Sequence, residues 1–233
     1  MKLKITAASA LINKRADYGV NRKWEGNYLS NFAENNNYTV FNEAVNNLKN
    51  TKHFNSVLFS SHVTKFNKFN KVAERVMLVT DQFVFKLDCE KFRNMKRGVA
   101  LGDLTGISVS PGHDQLIILH CPGGNDLVVS LHSQKQEDRI GEWLELSVTD
   151  ITSYMCDKKN DKHLTDLLKN ADLPVKVSKT ISCSLGGKQR IINIQVSAAE
   201  QNPTFKKDGN NIAYLIPSNF SILENGNNHI KSI

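Results

Sequence analysis

A succession of short β-forming runs between residues 57 and 132 limits this chain to a mainly β fold. The runs are rich in β-branched and aromatic residues, and glycine, proline, asparagine and aspartate separate them. Such a pattern is typical of an antiparallel sheet that bends into a sandwich or barrel of about seven strands. CPGGND is the strongest hairpin signal, because its adjacent glycines supply positive φ. The runs themselves read VLFSSHVTK, RVMLVT, QFVFKL, GVALGDLTGISVS, DQLIILH and DLVVSLH.

Helical periodicity precedes and follows this β region. Residues 3–23 and 24–34 predict N-terminal helices, and a third helix capped by Thr39 would bury the stripe Val40, Phe41, Ala44, Val45 and Leu48. After the strands, residues 134–159 predict one long amphipathic helix, in which Trp143 would be the large apolar anchor. A helix of this kind can plug one open end of a small barrel.

The C-terminal part returns to β structure after a shorter helix that contains Leu164 and ends before Pro174. The runs VKVSKTISCSL, QRIINIQVSA and NIAYLIPS predict a β-meander, with Gly186–Gly187 as a tight hairpin turn. The chain is therefore expected to be α+β and mainly β: a bent antiparallel barrel capped by a C-terminal helix. Its expected segments are N-terminal helices at 1–50, the barrel at 51–160, a helix and β-meander extension packed on it at 161–223, and a frayed tail at 224–233.

The charge balance bears on the choice of partner. The net charge is +7, and such an excess suggests an acidic partner, either nucleic acid or an anionic membrane surface. No stretch approaches the roughly 18 consecutive apolar residues that a membrane span needs, so a membrane contact would be peripheral. The 4 cysteines form no CxxC pair, which indicates a reduced, intracellular protein.

No catalytic or metal-binding constellation is found. The 7 histidines are scattered without the spacing of metal ligands. His120 and Cys121 are adjacent, but neighbours on a strand point to opposite faces, so a structural role is predicted for both. SLGGKQR lacks the first glycine and the Ser/Thr of a phosphate loop and is read as a hairpin turn. The expected protein has no enzymatic activity, no cofactor and no metal.

The densest basic cluster lies in the first predicted hairpin, within VTKFNKFNKVAERVMLVT. Lys65 ends one predicted strand and Arg75 begins the next, so side chains from both strands and from the loop could converge on one spot. Several cations around a cavity bind multivalent phosphate through charge-assisted hydrogen bonds. Two aromatic residues in the loop could wedge into a lipid interface. The predicted headgroup-binding residues are Lys65, Lys68, Lys71 and Arg75, and the predicted membrane-contacting residues are Phe66 and Phe69.

Two other interpretations of this hairpin stay open on composition alone. It could be a solvated loop whose phenylalanines fold inward, or it could bind nucleic acid through phosphate contacts and stacking. The nucleic-acid interpretation is the weaker one because no motif of a nucleic-acid-binding fold is present. A secondary basic patch follows the third predicted strand at Lys91, Arg93, Lys96 and Arg97, and another lies near the N-terminal helix at Lys14, Arg15, Arg22 and Lys23.

Four stretches of the chain resemble the tail-homology-one region of class I myosins. They are NRKWEGNYL, SSHVTKFNKFNKVAERVMLVTDQFVFKLD, LGDLTGISVSPGHDQLIILH and DLVVSLHS. KFNKFNKV and LTGISVS with DQLIILH are most similar to the Id/Ig subgroup, and the resemblance extends from about residue 14 to about residue 218. It implies the cargo tail of an actin-based motor whose ATPase head lies elsewhere, and it implies a pleckstrin-homology-like, bent seven-stranded antiparallel barrel.

The resemblance also implies partners and a location. Family members bind phosphoinositides and other anionic phospholipids such as phosphatidylserine, which implies a cytoplasmic monomer held peripherally at the plasma membrane and the actin-rich cortex. Actin would be contacted only through the motor head. No IQxxxR pattern occurs in residues 1–23, so calmodulin binding at the N-terminal helix has no motif behind it. The alternative function is a protein-interaction module that docks calmodulin or an adaptor.

The lipid-binding signature of pleckstrin-homology domains is matched in part. Lys65 matches the lysine of the first strand and Arg75 the final arginine of the second. Ala73 stands where the signature has a basic residue, and Lys68 or Lys71 could substitute for it from the loop. The resemblance therefore implies charge-graded membrane adhesion more than stereospecific headgroup recognition.

Overall fold

The structure is a computed structural model that describes residues 11, 14–15, 26–31, 38–112, 114–131 and 174–220. Within these ranges the protein is mainly β, with one sheet of eight strands, one sheet of four strands and two α-helices. The long helix expected at 134–159 with Trp143, and the shorter one with Leu164, lie outside the described residues. No helix in the described part is long and apolar enough to span a bilayer.

The secondary structure follows the predicted runs closely between residues 57 and 130. Helix α1 covers Tyr28–Asn31, helix α2 covers Tyr38–Lys52, and a 3-10 turn covers Leu101–Asp103. The first seven strands are β1 (Val57–Phe66), β2 (Val72–Thr80), β3 (Phe83–Leu87), β4 (Val99–Ala100), β5 (Gly106–Val109), β6 (Leu116–His120) and β7 (Leu127–Ser130). The C-terminal strands are β8 (Val175–Val177), β9 (Thr180–Leu185), β10 (Lys188–Ser197), β11 (Thr204–Asp208) and β12 (Asn211–Pro217).

The first sheet has eight strands in the order β4-β3-β2-β1-β7-β6-β5-β8. Its first seven strands pair antiparallel, as the sequence predicts, but β8 pairs parallel with β5. The expected closed barrel is wrong for the described strands, because β4 and β8 are the two edges of an open order. The physical reason is that β8, a strand of the C-terminal extension, takes the free edge of β5 that closure would require.

The second sheet has four strands in the order β11-β12-β10-β9. The predicted meander is wrong here, because β10 and β12 are parallel neighbours and β11 lies at the edge. Sequence patterning missed β11 because Thr204–Asp208 reads TFKKD, in which Phe205 is the one buried residue. The Gly186–Gly187 hairpin between β9 and β10 is confirmed, with φ of 64° and 77° at the two glycines.

The first sheet is covered on both faces. One face carries a core cluster that includes Phe59, Val63, Met77 and Ile117. The opposite face is shared between the second sheet, which packs on β1, β6 and β7, and helix α2, which packs on β2 and β3. Because alternate side chains of a strand point to opposite faces, β2 becomes buried at every position from Val76 to Thr80.

Helix α2 presents an apolar stripe to the first sheet, as predicted. Phe41 and Val45 are buried, and Ala44 and Leu48 pack partly buried against the same cluster. Phe41 meets Phe92 edge to face, with ring centroids 5.2 Å apart. The expectation for Val40 is wrong, because its side chain is 43% exposed. It lies one position from Phe41 on the helix, about 100° around the axis, and so misses the sheet.

Arg15 is a buried anchor of the N-terminal segment. Its guanidinium donates to the carbonyl oxygen of Ser110 at 3.0 Å and to that of Asp114 at 2.7 Å, and the residue is 2% exposed. The interpretation of Arg15 as part of an exposed basic patch is therefore wrong, because its guanidinium is buried and donates hydrogen bonds to carbonyl groups. Lys14 is exposed, and Arg22 and Lys23 lie outside the described residues.

Candidate functional site

The loop between β1 and β2 is closed by its own asparagines. The Asn67 side chain accepts hydrogen bonds from the backbone N–H groups of Phe69 at 2.8 Å and Lys71 at 3.2 Å. Asn70 takes a positive φ of 59°, a conformation that asparagine tolerates better than most residues. The asparagines of the two KFN units therefore differ in role. The Asn67 side chain holds the loop by hydrogen bonds, and Asn70 reverses the chain direction before β2 begins.

The two phenylalanines of the repeat have opposite environments. Phe66 is 1% exposed and packs on Phe205 of the second sheet, with ring centroids 5.6 Å apart. The expectation that Phe66 contacts a membrane is therefore wrong, because Phe66 is the last residue of β1 and points into the core between the two sheets. Phe69 is 70% exposed at the loop tip, and the Lys68 ammonium lies 5.1 Å from its ring centroid.

Lys65 and Arg75 lie on the same face of the β1–β2 hairpin. In the register Lys65 pairs with Ala73 and Val63 pairs with Arg75, so all four side chains share one face. This is the face that carries the first core cluster, to which Val63 belongs. Thr64 and Glu74 pair on the opposite face, where the Thr64 hydroxyl donates to the Glu74 carboxylate at 2.6 Å. The acidic residue of the hairpin therefore points away from the two cations.

Lys86 joins this face from the neighbouring strand. It pairs with Met77, which follows Arg75 by two positions on β2. Lys86 was missed by sequence analysis, where it was read only as part of the strand QFVFKL. The signal that could have found it is the two-residue turn between β2 and β3, which fixes the register and puts Lys86 on the Arg75 side.

These cations surround a cavity of about 670 Å³ at one end of the first sheet. Its floor is apolar and includes Val84, Leu104 and Leu119 of the first core cluster. The basic residues on its wall are Lys65, Lys68, Arg75, Lys86, Lys96 and Arg97. The structure thus brings the hairpin cluster and half of the secondary patch to one place. Ala73, where the basic residue of the family signature is missing, lines the same wall.

Three other predicted basic residues lie away from this cavity. Lys71 is exposed at the end of the loop and is not part of the lining. Lys91 and Arg93 line a separate groove of about 420 Å³ beside helix α2. The Asp88 carboxylate holds their segment by accepting the backbone N–H groups of Lys91 at 2.7 Å and Arg93 at 2.8 Å.

Burial and mutual repulsion lower the pKa values of two lysines in the cavity. Burial, together with the charges of Lys86, Arg75 and Lys96, lowers the pKa of Lys65 to about 8. Burial and the charges of Lys96 and Arg75 also lower the pKa of Lys86. None of these cavity cations forms an ion pair with a described carboxylate, although Asp103 and Asp126 also line the cavity. Such an arrangement is complementary to a ligand with several negative charges.

A hydrogen-bonded Ser-His-Asp trio lies beside the cavity and has a structural role. His120 bonds Ser108 through Nε2 at 2.8 Å and Asp126 through Nδ1 at 3.0 Å. Ser108 is 3% exposed, so its hydroxyl is closed to a substrate. The Asp126 carboxylate also accepts the backbone N–H of Ser184 at 2.8 Å, which ties β9 to the first sheet.

Neighbouring groups in the cavity wall offer no nucleophile or metal site. Cys121 lines the cavity, but burial and the Asp126 charge raise the pKa of its thiol to about 11. Within the described ranges, no group of three or more His, Cys, Asp or Glu side chains could hold a metal ion. The described residues of the cavity lining are therefore distinguished chemically by their positive charges.

Comparison with known proteins gives matches over nearly the whole chain. The family described as "Unconventional myosin tail, actin- and lipid-binding" matches residues 15–218. Unconventional myosin ID of Drosophila melanogaster is 39% identical over 231 residues, which are 95% of this chain and 22% of that protein. Unconventional myosin-Id and myosin-Ig of Homo sapiens are 33% and 34% identical over 94% of this chain, and 21% and 20% of those proteins are covered. The chain thus spans about a fifth of the length of these relatives.

Similarity to solved structures is weaker. The hSac2 domain from human phosphoinositide phosphatase Sac2 matches 59% of this chain and 90% of its own, with 13% identity and a TM-score of 0.40. That score is too low to assign a shared fold.

Proposed function

The chain belongs to the unconventional myosin tail family, and from that premise we propose that it captures anionic phospholipid headgroups in the cavity between β1, β2 and β3. The observation that carries the proposal is the convergence of Lys65, Arg75 and Lys86 on one apolar-floored cavity without a carboxylate partner among the described residues. Burial and mutual repulsion lower the pKa of Lys65 and Lys86, and a phosphorylated headgroup would offset the repulsion.

The cations would divide the binding between them. Arg75 offers a planar fork that can hold two phosphate oxygens, and the lysines act as point charges. Lys86 supplies, from β3, a further positive charge to the cavity that Ala73 also lines, where the family signature has a basic residue. Phe69, exposed at the loop tip, would insert at the lipid interface beside Lys68. The proposal includes the interpretation of the first sheet as pleckstrin-homology-like.

In the whole protein the module would attach a class I motor to its membrane. Relatives of this chain are unconventional myosins about five times its length, so a motor head elsewhere in the protein would engage actin while the tail holds phosphoinositides or phosphatidylserine. The expected place of action is the cytoplasmic face of the plasma membrane and its actin cortex. The tail itself would have no enzymatic activity.

The test is co-sedimentation with vesicles of phosphatidylcholine containing either phosphatidylinositol bisphosphate or phosphatidylserine at matched total charge. Lys65→Ala/Arg75→Ala removes two cavity cations, each worth about 1 kcal/mol near an anionic surface, so binding should weaken by about 30-fold. The matched control is Lys91→Ala/Arg93→Ala, which removes the same charge outside the cavity and should change binding only slightly.

Two comparisons decide the outcome. If the folded double variant Lys65→Ala/Arg75→Ala pellets with both vesicle types as the parent does, the cavity is not the headgroup site. Binding that follows charge equally on both vesicle types would support charge-driven adhesion, and a clear preference for the phosphoinositide would support a fitted headgroup. Higher salt should weaken either mode because it screens exposed charges.

A further inference from the structure

The turn between β9 and β10 touches the basic loop between β1 and β2. A Cβ atom added to Gly186 would lie 2.9 Å from Cδ and 3.2 Å from Cβ of Lys68. The stem of Lys68 therefore rests directly on the glycine of the second sheet. Leu185 and Gly186 are part of the cavity lining, so the second sheet contributes a wall to the site.

The same turn is tied to a third turn, the one between β6 and β7. The Gly187 N–H donates to the Gly124 carbonyl at 2.9 Å, and the Ser184 hydroxyl donates to the same carbonyl at 3.2 Å. Asp126 and Ser184 bond each other twice, because each backbone N–H donates to an oxygen of the other residue at 2.8 Å. Three turns from two sheets are thus joined at the mouth of one cavity.

The outer side of this turn carries a positive charge. Lys188 follows Gly187 directly and is exposed, and it forms no ion pair with another described residue. Behind it, the Arg190 guanidinium donates to the Asn210 carbonyl at 2.8 Å and thereby ties the β11–β12 turn to the same end of the sheet. The exposed Lys188 therefore follows directly after a turn whose Gly186 lines the cavity.

We propose that the β9–β10 turn is part of the membrane-binding surface. Gly186 seats the stem of Lys68 at the cavity mouth, and Lys188 makes an additional contact with the anionic lipid surface. The occupant is the same lipid surface that the cavity is proposed to bind, so this inference rests on the proposed function. It implies that the protein contacts the membrane through two turns, the β1–β2 loop of the first sheet and the β9–β10 turn of the second.

The first test reverses one charge at either end of β9. Lys188→Glu should weaken binding to phosphatidylserine vesicles by about 30-fold, because the reversal changes the charge by two units and each unit near the surface contributes about 1 kcal/mol. The matched control is Lys179→Glu, which is also exposed but lies at the other end of β9, a strand of 6 residues or about 20 Å. If both variants bind alike, the turn is not part of the surface.

The second test uses the two glycines of the turn as a matched pair. Gly186→Ala and Gly187→Ala both place a side chain at positive φ, but only Gly186 has neighbouring atoms within 4 Å of the new Cβ. The two variants should therefore lose a similar amount of stability from backbone strain, while Gly186→Ala alone displaces Lys68. Weaker vesicle binding by Gly186→Ala than by Gly187→Ala supports the seating role, and equal binding overturns it.

The cavity variant Lys65→Ala/Arg75→Ala is measured beside them. If it loses binding while Lys188→Glu binds like Lys179→Glu, the inference about the turn fails and the proposed function stands. If the cavity variant and Lys188→Glu both bind like the parent, the proposed function fails together with the inference. Normal thermal melting of Lys188→Glu shows that any loss of binding comes from charge.

Discussion

At the scale of single residues, Lys65 links the pH dependence of stability to that of the proposed headgroup binding. Burial and the neighbouring cations lower the pKa of Lys65 in the folded protein to about 8, from its ordinary value of 10.5. Between these values the unfolded chain binds more protons than the folded one, so the stability of the empty protein rises with pH across this window. The proposed headgroup binding would need the charged form of Lys65, which is lost as pH rises through the same folded pKa. The two properties should therefore change in opposite directions.

The first prediction concerns this pH dependence. Binding to phosphatidylglycerol vesicles, whose charge is constant here, should weaken about fivefold from about pH 7 to about pH 9, because one cavity cation is lost. Lys65→Arg should keep its charge and show a shallower pH dependence than the parent. Vesicle titration at several pH values measures both, and parallel profiles for the parent and Lys65→Arg would contradict the role of Lys65.

The second prediction separates the phenylalanines of the repeated KFN. Phe66→Ala should lower the free energy of unfolding by about 3–5 kcal/mol, because it empties a position buried between the two sheets. Phe69→Ala should change it by less than about 0.5 kcal/mol, since its ring is already in solvent, yet it should weaken vesicle binding. Urea unfolding and co-sedimentation of both variants test this. A reversed pattern would mean that the two rings exchange roles.

At the scale of elements, the sequence pattern predicts those strands and turns that depend on residues close together in the chain. The strands between residues 57 and 130, the CPGGND turn and the Gly186–Gly187 hairpin follow from alternation and turn glycines, and the structure confirms them. Register and partner choice depend on residues distant in sequence. Lys86 was missed for that reason, and so were the parallel pairing of β8 with β5 and the edge position of β11. Phe66 was misplaced because the predicted strand ended at Lys65, whereas β1 continues to Phe66 and directs its side chain toward the second sheet.

The third prediction concerns the buried guanidinium that ties the N-terminal segment to the loop before β6. Arg15→Met should lower the free energy of unfolding by about 3 kcal/mol, because it leaves the buried carbonyls of Ser110 and Asp114 without a charged donor. Its exposed neighbour supplies the control, and Lys14→Met should have little effect. Chemical denaturation of both variants measures the difference, and equal midpoints would show that the Arg15 bonds contribute little.

At the scale of the whole molecule, the two sheets share one core. Phe66, Leu116 and Ile118 of the first sheet pack in one cluster with Ile192 and Tyr214 of the second. The Tyr214 hydroxyl lies 2.9 Å from the Ser130 hydroxyl, so a buried hydrogen bond also crosses the interface. The boundary expected near residue 160 therefore separates stretches of sequence that depend on each other for their apolar contacts.

The fourth prediction is that the chain unfolds in a single cooperative transition. Calorimetric and van't Hoff enthalpies should agree, because neither sheet can unfold without exposing the apolar face of the other. Bound phosphoinositide should move the whole transition upward, since the ligand binds only the folded state. Two separate transitions, with only the earlier one sensitive to ligand, would show that the sheets are independent.

The parallel pair of β5 and β8 has a consequence for how the protein is made. A ribosome releases β5 long before β8, so during synthesis the edge of β5 has unpaired backbone groups while β8 is still missing. Such an edge can pair with another nascent chain. Completion of the fold therefore waits for Val175–Val177, and a polypeptide released before that point would depend on chaperones to keep this edge from aggregating.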